Sequence, residues 1–533
     1  MEFIRRCWHS MEQLLFQPDL ENGNFSNPII FADYSDPDVI RVDDTYYLTA
    51  SSFNYVPGLP ILISKDLVNW TLVNYALTSI PGDFDRPRHS QGVWAPSIRY
   101  HEGEFYIYYG MPDEGFFMVK TKNPLGKWEE PVCILEGKGL IDCCPFWDED
   151  GKAYIIHGYA KSRIGFKSHL GIFEMNWEGT KAITEDHILY SGLETNPTIE
   201  GPKVYKKDGF YYILAPAGGV KTGWQEALRS KNIYGPYEEM KVLEQGDTEI
   251  NGPHQGGLVT DVSGQDWFVH FQDRGLYGRI CHLQPVNWVD GWPVMGTATN
   301  NYCGQPVLEM KKPACNETVE VTSLEASDDF NEGKLGLMWQ WLANPKEAYG
   351  YVDNQEKQLV LNCVNFTKKP FPILWEQGNV LTQKLVCPEF QATVKLGISG
   401  LLEGDQAGVV MMGGAYSYIG ARALPKNRRI LVHAAYNETE DKGVERVNEI
   451  AEIPAEISDV YITFSLKEGP VGPIFEMFYG FTEGEKLSFT DLFKFVPSDH
   501  TWVGAKIGLF ANCLNGNEMG GKATFDYIHV ERL

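Results

Sequence analysis

The sequence predicts an all-β protein, a five-bladed β-propeller followed by an antiparallel β-sandwich, and three observations carry that expectation. A strand-forming core recurs five times, at intervals of roughly 50 residues. No stretch between the recurrences shows the 3.6-residue apolar period of an amphipathic helix. Past Pro313 the recurrence stops, while short alternating strands continue to the C-terminus.

The repeated core is a Gly or Asp followed by aromatic and β-branched residues. It reads Asp44-Thr45-Tyr46-Tyr47-Leu48, Gly103-Glu104-Phe105-Tyr106-Ile107, Gly151-Lys152-Ala153-Tyr154-Ile155, Gly209-Phe210-Tyr211-Tyr212-Ile213 and Asp266-Trp267-Phe268-Val269. Each is a strand leaving a tight turn. A strand precedes each turn, at Asp36 to Arg41, Ala95 to Tyr100, Cys144 to Trp147, Gly201 to Tyr205 and Gln255 to Val259, so every repeat opens with a hairpin. Outer strands are expected at the related runs Ser64 to Trp70, Thr121 to Trp128 and Ser230 to Tyr237. A unit of several short strands without a helix is a propeller blade. A plain sandwich would not need a hairpin at constant period.

In the second region, Gln391 to Leu396 and Val460 to Phe464 alternate apolar and polar residues, Glu403-Gly404-Asp405 marks a turn, and Phe525 to Val530 closes the fold. A chain of 533 residues exceeds what one core sustains. The expected organisation is an N-terminal extension over 1–26, a propeller over 27–312, a linker over 313–327 and a sandwich over 328–533.

A net charge of −25 without a long basic run opposes a phosphate backbone, so nucleic acid is not an expected partner. The ten cysteines contain no C-x-x-C pair, which argues against zinc ribbons and thioredoxin-type chemistry and suits a reducing compartment. Arg5 and Arg6 are followed by Cys-Trp-His-Ser-Met-Glu-Gln rather than an apolar core, so no signal peptide is expected; Met11 is a second candidate start. No run of 18 apolar residues exists, hence no membrane partner is expected, and the cytoplasm is the expected location. The acidic, aromatic-rich surface is compatible with a homo-oligomer.

Propeller blades surround one axis, so residues at the starts of the innermost strands converge there from distant points of the chain. Those residues are Asp36, Trp94, Asp142, Glu200 and His254, one per blade. Taken singly, Asp36 before Pro37 and Asp142 are ordinary turn residues. Glu200, between Ile199 and Gly201-Pro202, has no evident cation nearby. Carboxylates converging on an aromatic-lined hollow fit glycoside hydrolysis, where one must be ionised to activate water and one protonated to serve the leaving oxygen. A third would keep that acid protonated by like-charge repulsion.

At these residues the sequence resembles glycoside hydrolase family 43. The motifs are Asn27-Pro28-Ile29 through Asp36-Pro37-Asp38, Ser51-Ser52-Phe53, Ser64 to Trp70, Gly92-Val93-Trp94-Ala95-Pro96, Ile199-Glu200-Gly201-Pro202 and Gly252-Pro253-His254-Gln255. The following region resembles the concanavalin-like sandwich of the family's β-xylosidase and α-L-arabinofuranosidase branch. The resemblance implies an inverting, exo-acting hydrolase of plant-derived oligosaccharides, with Asp36 as general base, Glu200 as general acid and Asp142 as the residue that raises and orients the acid. It implies carboxyls of Asp36 and Glu200 about 6.5–9.5 Å apart. It also implies Phe53 and Trp94 as apolar walls, and Arg279 as a substrate-binding arginine. On the residues alone, Arg279 is equally a counter-ion for the carboxylates. His254 is placed at the channel floor beside a calcium ion or water cluster; a lone His is otherwise more often a satisfied structural group. The chemistry itself calls for no cofactor. Cys143 and Cys144 follow Asp142 where the family places small residues.

Two other readings compete. A retaining hydrolase of fructosides would carry Asn-Asp-Pro and Arg-Asp-Pro, and neither occurs. A non-catalytic carbohydrate-binding propeller would lack at least one of the three carboxylates, and all are present.

Overall fold

The structure is a computed structural model describing residues 14–533; Arg5, Arg6, Met11 and the rest of the first 13 residues lie outside the described part. Two compact units are present: Pro18–Phe84 with Arg88–Val321, and Thr322–Leu533 with Asp85–Pro87 and residues 14–17.

The first unit contains five successive antiparallel sheets, each four consecutive strands in up-and-down order. Their first strands are Asp38–Val42, Trp94–His101, Leu140–Trp147, Lys203–Lys207 and His254–Thr260. Their second strands are Thr45–Thr49, Glu104–Met111, Ala153–Tyr159, Phe210–Ala217 and Asp266–Asp273. These are the expected hairpins. The fourth sheet is widened by Thr297–Ala298 and Gly304–Gln305.

The aromatic and β-branched repeats follow from burial on both faces of each sheet. Successive residues of a strand point to opposite sides. Ile107 therefore packs with Leu59 and Ile61 of the first sheet, while Tyr108 packs with Ile155 and Phe173 of the third. Ile156 and Ile172 then meet Ile213 and Leu228 of the fourth, and Leu214 and Ala227 meet Phe268 and Val286 of the fifth. The first strands of the first and fifth sheets are also neighbours, closing the circuit of a propeller.

Polar links run round the same ring. Buried Asp38 accepts from the Ile98 amide at 2.9 Å and from Arg99 Nη1 at 2.7 Å. Arg99 Nη2 reaches Cys144 Sγ at 2.9 Å, and that sulfur also receives the Val204 amide at 3.4 Å. The Tyr205 hydroxyl accepts from the Leu258 amide at 2.8 Å. At the closing seam Gly257 is required by close approach, since a Cβ there would lie 2.7 Å from both Asp38 Oδ1 and the Val39 nitrogen.

The runs expected as outer strands are instead turns between third and fourth strands. Ser64 to Trp70 joins Gly58–Ser64 to Thr71–Leu77, and the other two runs sit between Gly115–Thr121 and Val132–Glu136 and between Trp224–Ser230 and Glu238–Leu243. The cause is side-chain capping of the backbone. Asp66 Oδ1 accepts from the Val68 and Asn69 amides, Asn123 Oδ1 from Leu125 and Asn232 Oδ1 from Tyr234.

The second unit is a sandwich of a seven-stranded and a six-stranded sheet. Phe390–Gly397 lies between Asp459–Lys467 and Met519–Arg532, burying Phe390, Ala392, Val394 and Leu396 while the alternate residues are less enclosed. No helix among the described residues is long and apolar enough to cross a membrane.

Candidate active site

Each blade enters its first strand through a residue with left-handed backbone: Asp36 (φ 54°), Ala95 (26°), Asp142 (60°), Gly201 (52°) and Gln255 (56°). In three blades the ladder slips at this point, between Trp94 and Ser97, Ile141 and Cys144, and His254 and Gly256. Such bulges bend a strand and re-aim its side chains. The five residues read from the sequence thus fall into two registers, a correction to their expected equivalence. Asp36 and Asp142 occupy the left-handed position, while Trp94, Glu200 and His254 stand one residue before it.

Asp36 is buried and fully engaged on one side. Its Oδ2 accepts from Ser51 Oγ at 2.6 Å and Ser35 Oγ at 2.9 Å, and its Oδ1 pairs with Arg279 Nη1 at 2.7 Å. Ser51 Oγ in turn accepts from the Ala95 amide at 2.7 Å, linking the first blade to the second. Arg279 Nη1 also reaches Ser35 Oγ at 2.8 Å, the Arg279 amide donates to Asp33 Oδ1 at 3.0 Å, and the guanidinium stacks 4.5 Å from the Phe271 ring. Arg279 is therefore a counter-ion of Asp36.

Asp142 is buried, and its Oδ2 accepts from the Gly201 amide at 2.9 Å. Burial first, and then the negative charge of Asp36, push its carboxyl above the usual carboxylate range; the Gly201 amide and the charges of Lys203 and Arg279 oppose this. Glu200 is also pushed up, by burial and then by Asp142, with Arg279 and Lys167 opposing. The Glu200 side chain keeps some open surface and, among the described residues, its carboxyl makes no hydrogen bond to protein. Cys143 and Cys144 are wholly enclosed and serve packing and the Arg99 link.

Phe53 is buried and pairs through its backbone with Val93, which sets it beside Trp94. Trp94 is half-buried, with its indole N–H fixed on the Ser90 carbonyl at 3.0 Å. His254 is buried edge-on against Phe271, and its Nδ1 has no hydrogen-bond partner among the described residues. Burial, followed by the charges of Arg279 and His270, lowers it to about 3, a neutral imidazole. Among the described residues no group of three or more His, Cys, Asp or Glu could hold a metal ion. One imidazole does not match calcium, which takes six to eight oxygens.

Sequence reasoning missed Ser35, Lys203 and Lys167, and quoted Ser51 only within a motif. Lys203 is buried and donates to the Pro96 carbonyl at 3.0 Å and Ser97 Oγ at 2.8 Å, placing a cation under Asp142. Its position after Gly201-Pro202 on an inner strand was the available signal.

A propeller that brings three carboxylates from its inner-strand starts together with a buried arginine from the third strand of the fifth sheet has the architecture of a glycoside hydrolase. Residues 25–293 match the family model Glycosyl hydrolases family 43, and residues 327–531 match the Beta xylosidase C-terminal Concanavalin A-like domain. The chain belongs to glycosyl hydrolase family 43.

A β-xylosidase of Formosa agariphila is 32% identical over 96% of this chain and 90% of its own length. A non-reducing end α-L-arabinofuranosidase of Bacteroides ovatus is 30% identical over 74% of each chain. The solved structure of the GH43 protein BlXynB from Bacillus licheniformis is 26% identical, with TM-score 0.77, covering 96% of this chain and all of that one.

Proposed function

We propose that the protein is an exo-acting, inverting glycoside hydrolase that releases terminal β-D-xylose from plant-derived xylo-oligosaccharides. Asp36 acts as general base, Glu200 as general acid, and Asp142 raises and orients the acid. The observation that carries this is the contrast between Asp36 and Glu200. Asp36 spends three acceptor positions on Ser35, Ser51 and Arg279. A carboxylate offers about four, which leaves one for a water. Among the described residues the Glu200 carboxyl makes no hydrogen bond to protein, and it is held toward its protonated form.

In the reaction, the Asp36-bound water attacks the anomeric carbon as Asp36 takes its proton. Glu200 gives its proton to the glycosidic oxygen, and the C–O bond breaks with inversion. Asp142 keeps Glu200 protonated by like-charge repulsion, and Lys203 favours the ionised Asp142 that this repulsion needs. Phe53 and Trp94 line the hollow with apolar surface suited to a sugar face. The names of the Formosa and Bacteroides relatives support xylose first and α-L-arabinofuranose as the alternative main activity.

Initial rates on aryl β-D-xylopyranoside and aryl α-L-arabinofuranoside test this, with Asp36→Ala and Glu200→Ala as controls. Faster xyloside turnover that vanishes in Asp36→Ala is expected. Faster arabinoside turnover moves the substrate to arabinose. Inactivity on both overturns the assignment.

A further inference from the structure

We propose that Lys167 is a specificity-determining residue on the leaving-group side of the pocket, where its ammonium binds hydroxyl groups of the departing sugar; this rests on the pentoside-hydrolase reading above. Lys167 belongs to the link between the second and third strands of the third sheet, just after the single-turn helix Lys161–Ile164. That link touches two walls of the site. Arg163, gripped by Asp113 through two 3.1 Å bonds, lies 5.7 Å over the Trp94 ring. Lys167 Nζ donates to Thr198 Oγ1 at 3.1 Å, two residues before Glu200, and the neighbouring Ser168 Oγ accepts from the Thr198 amide at 2.8 Å.

The surroundings of Lys167 set it apart. The chain carries 71 acidic residues against 46 basic ones, yet Lys167 is half-buried with no acid partner among the described residues. Ordering a lysine side chain costs entropy that a single hydroxyl contact hardly offsets. Among the described residues two ammonium protons remain without a protein acceptor, and the charge acts on Glu200. The proton from Glu200 goes to the glycosidic oxygen, which stays with the leaving sugar. A donor beside Glu200 therefore borders that sugar. The sugar offers hydroxyl acceptors there, whereas a nitrophenyl leaving group offers none.

The test is the ratio of kcat/KM for xylobiose to kcat/KM for 4-nitrophenyl β-D-xylopyranoside in wild type, Lys167→Met and Lys167→Arg. Both rates come from one sample, so the ratio does not depend on the fraction folded. The ratio is expected to fall about tenfold in Lys167→Met, the scale of one charge-assisted hydrogen bond, and to recover in Lys167→Arg. An unchanged ratio in Lys167→Met, whether both rates fall together or neither does, overturns the role of Lys167 and leaves the pentoside reading intact. A wild type inactive on both substrates overturns that reading and this inference with it.

Discussion

The Gly201 amide donates to Asp142 Oδ2 over 2.9 Å, so the backbone carrying Glu200 is pinned to the neighbouring carboxyl. Gly201 can take this position because its φ of 52° suits a residue without Cβ, and a Cβ there would meet the Gln255 side chain at 2.9 Å. One contact thereby sets the direction of Glu200 and brings the charge of Asp142 close enough to act on it.

Asp142→Asn keeps an acceptor for Gly201 but removes the charge. Asp142 raises Glu200, so its loss lets Glu200 ionise at lower pH. The alkaline limb of the kcat/KM profile, where the acid loses its proton, is expected to move to lower pH, with activity near neutrality down roughly 10–100-fold. Asp142→Ala loses the amide contact as well and should be worse. A pH profile that keeps its alkaline limb in Asp142→Asn would remove Asp142 from the control of Glu200.

Ser51 joins Asp36 to the Ala95 amide. Ser51→Ala strips one bond from the base and leaves a buried N–H without a partner. The expected cost is about 1–3 kcal/mol of unfolding free energy, read by urea denaturation. Loss of kcat should accompany it through the misplaced Asp36. Unchanged stability would mean that another group takes the Ala95 amide.

The ring closure predicts a second stability effect. Gly257→Ala places a methyl 2.7 Å from the Val39 nitrogen, a backbone atom that cannot turn aside as a long side chain can. A loss of about 1–3 kcal/mol is expected, measured as a lower denaturation midpoint. A variant as stable as wild type would show that the seam between fifth and first sheets yields.

The five hairpins were legible because burial on both faces forces aromatic and β-branched residues at constant period, as at Ile107 and Tyr108. Asp36, Asp142 and Glu200 were legible because they stand at strand starts. Their exact register was not, since Asp142 and Ala95 adopt positive φ without a residue type that demands it. Outer turns were misread as strands because Asp66, Asn123 and Asn232 cap the backbone within runs rich in apolar residues. Lys203, Ser51 and Lys167 reach the site from places that only the closed ring brings together.

The fifth sheet carries a device that ties stability to acidity. His270 is wholly buried, with Nδ1 3.0 Å from the Phe271 carbonyl and Nε2 3.1 Å from Gln284 Nε2. The Gln284 amide cannot flip without losing the Val307 amide, which its Oε1 accepts at 2.7 Å. Nδ1 must therefore carry the proton and Nε2 accept one, so a second proton on the ring would face an N–H. Burial lowers His270 from 6.5 to about 4 and His254 to about 3. In the unfolded chain both take a proton near pH 6.5 while the folded protein does not. The stability they permit is full above about pH 6.5 and is lost as pH falls toward 4 for His270 and toward 3 for His254, on the order of a few kcal/mol for each ring. His270→Leu should be less stable at pH 7, because Gln284 loses an acceptor, but should lose less on going from pH 7 to pH 5. Urea unfolding of both proteins at the two pH values measures this difference. Equal losses in wild type and His270→Leu would place the acid sensitivity elsewhere.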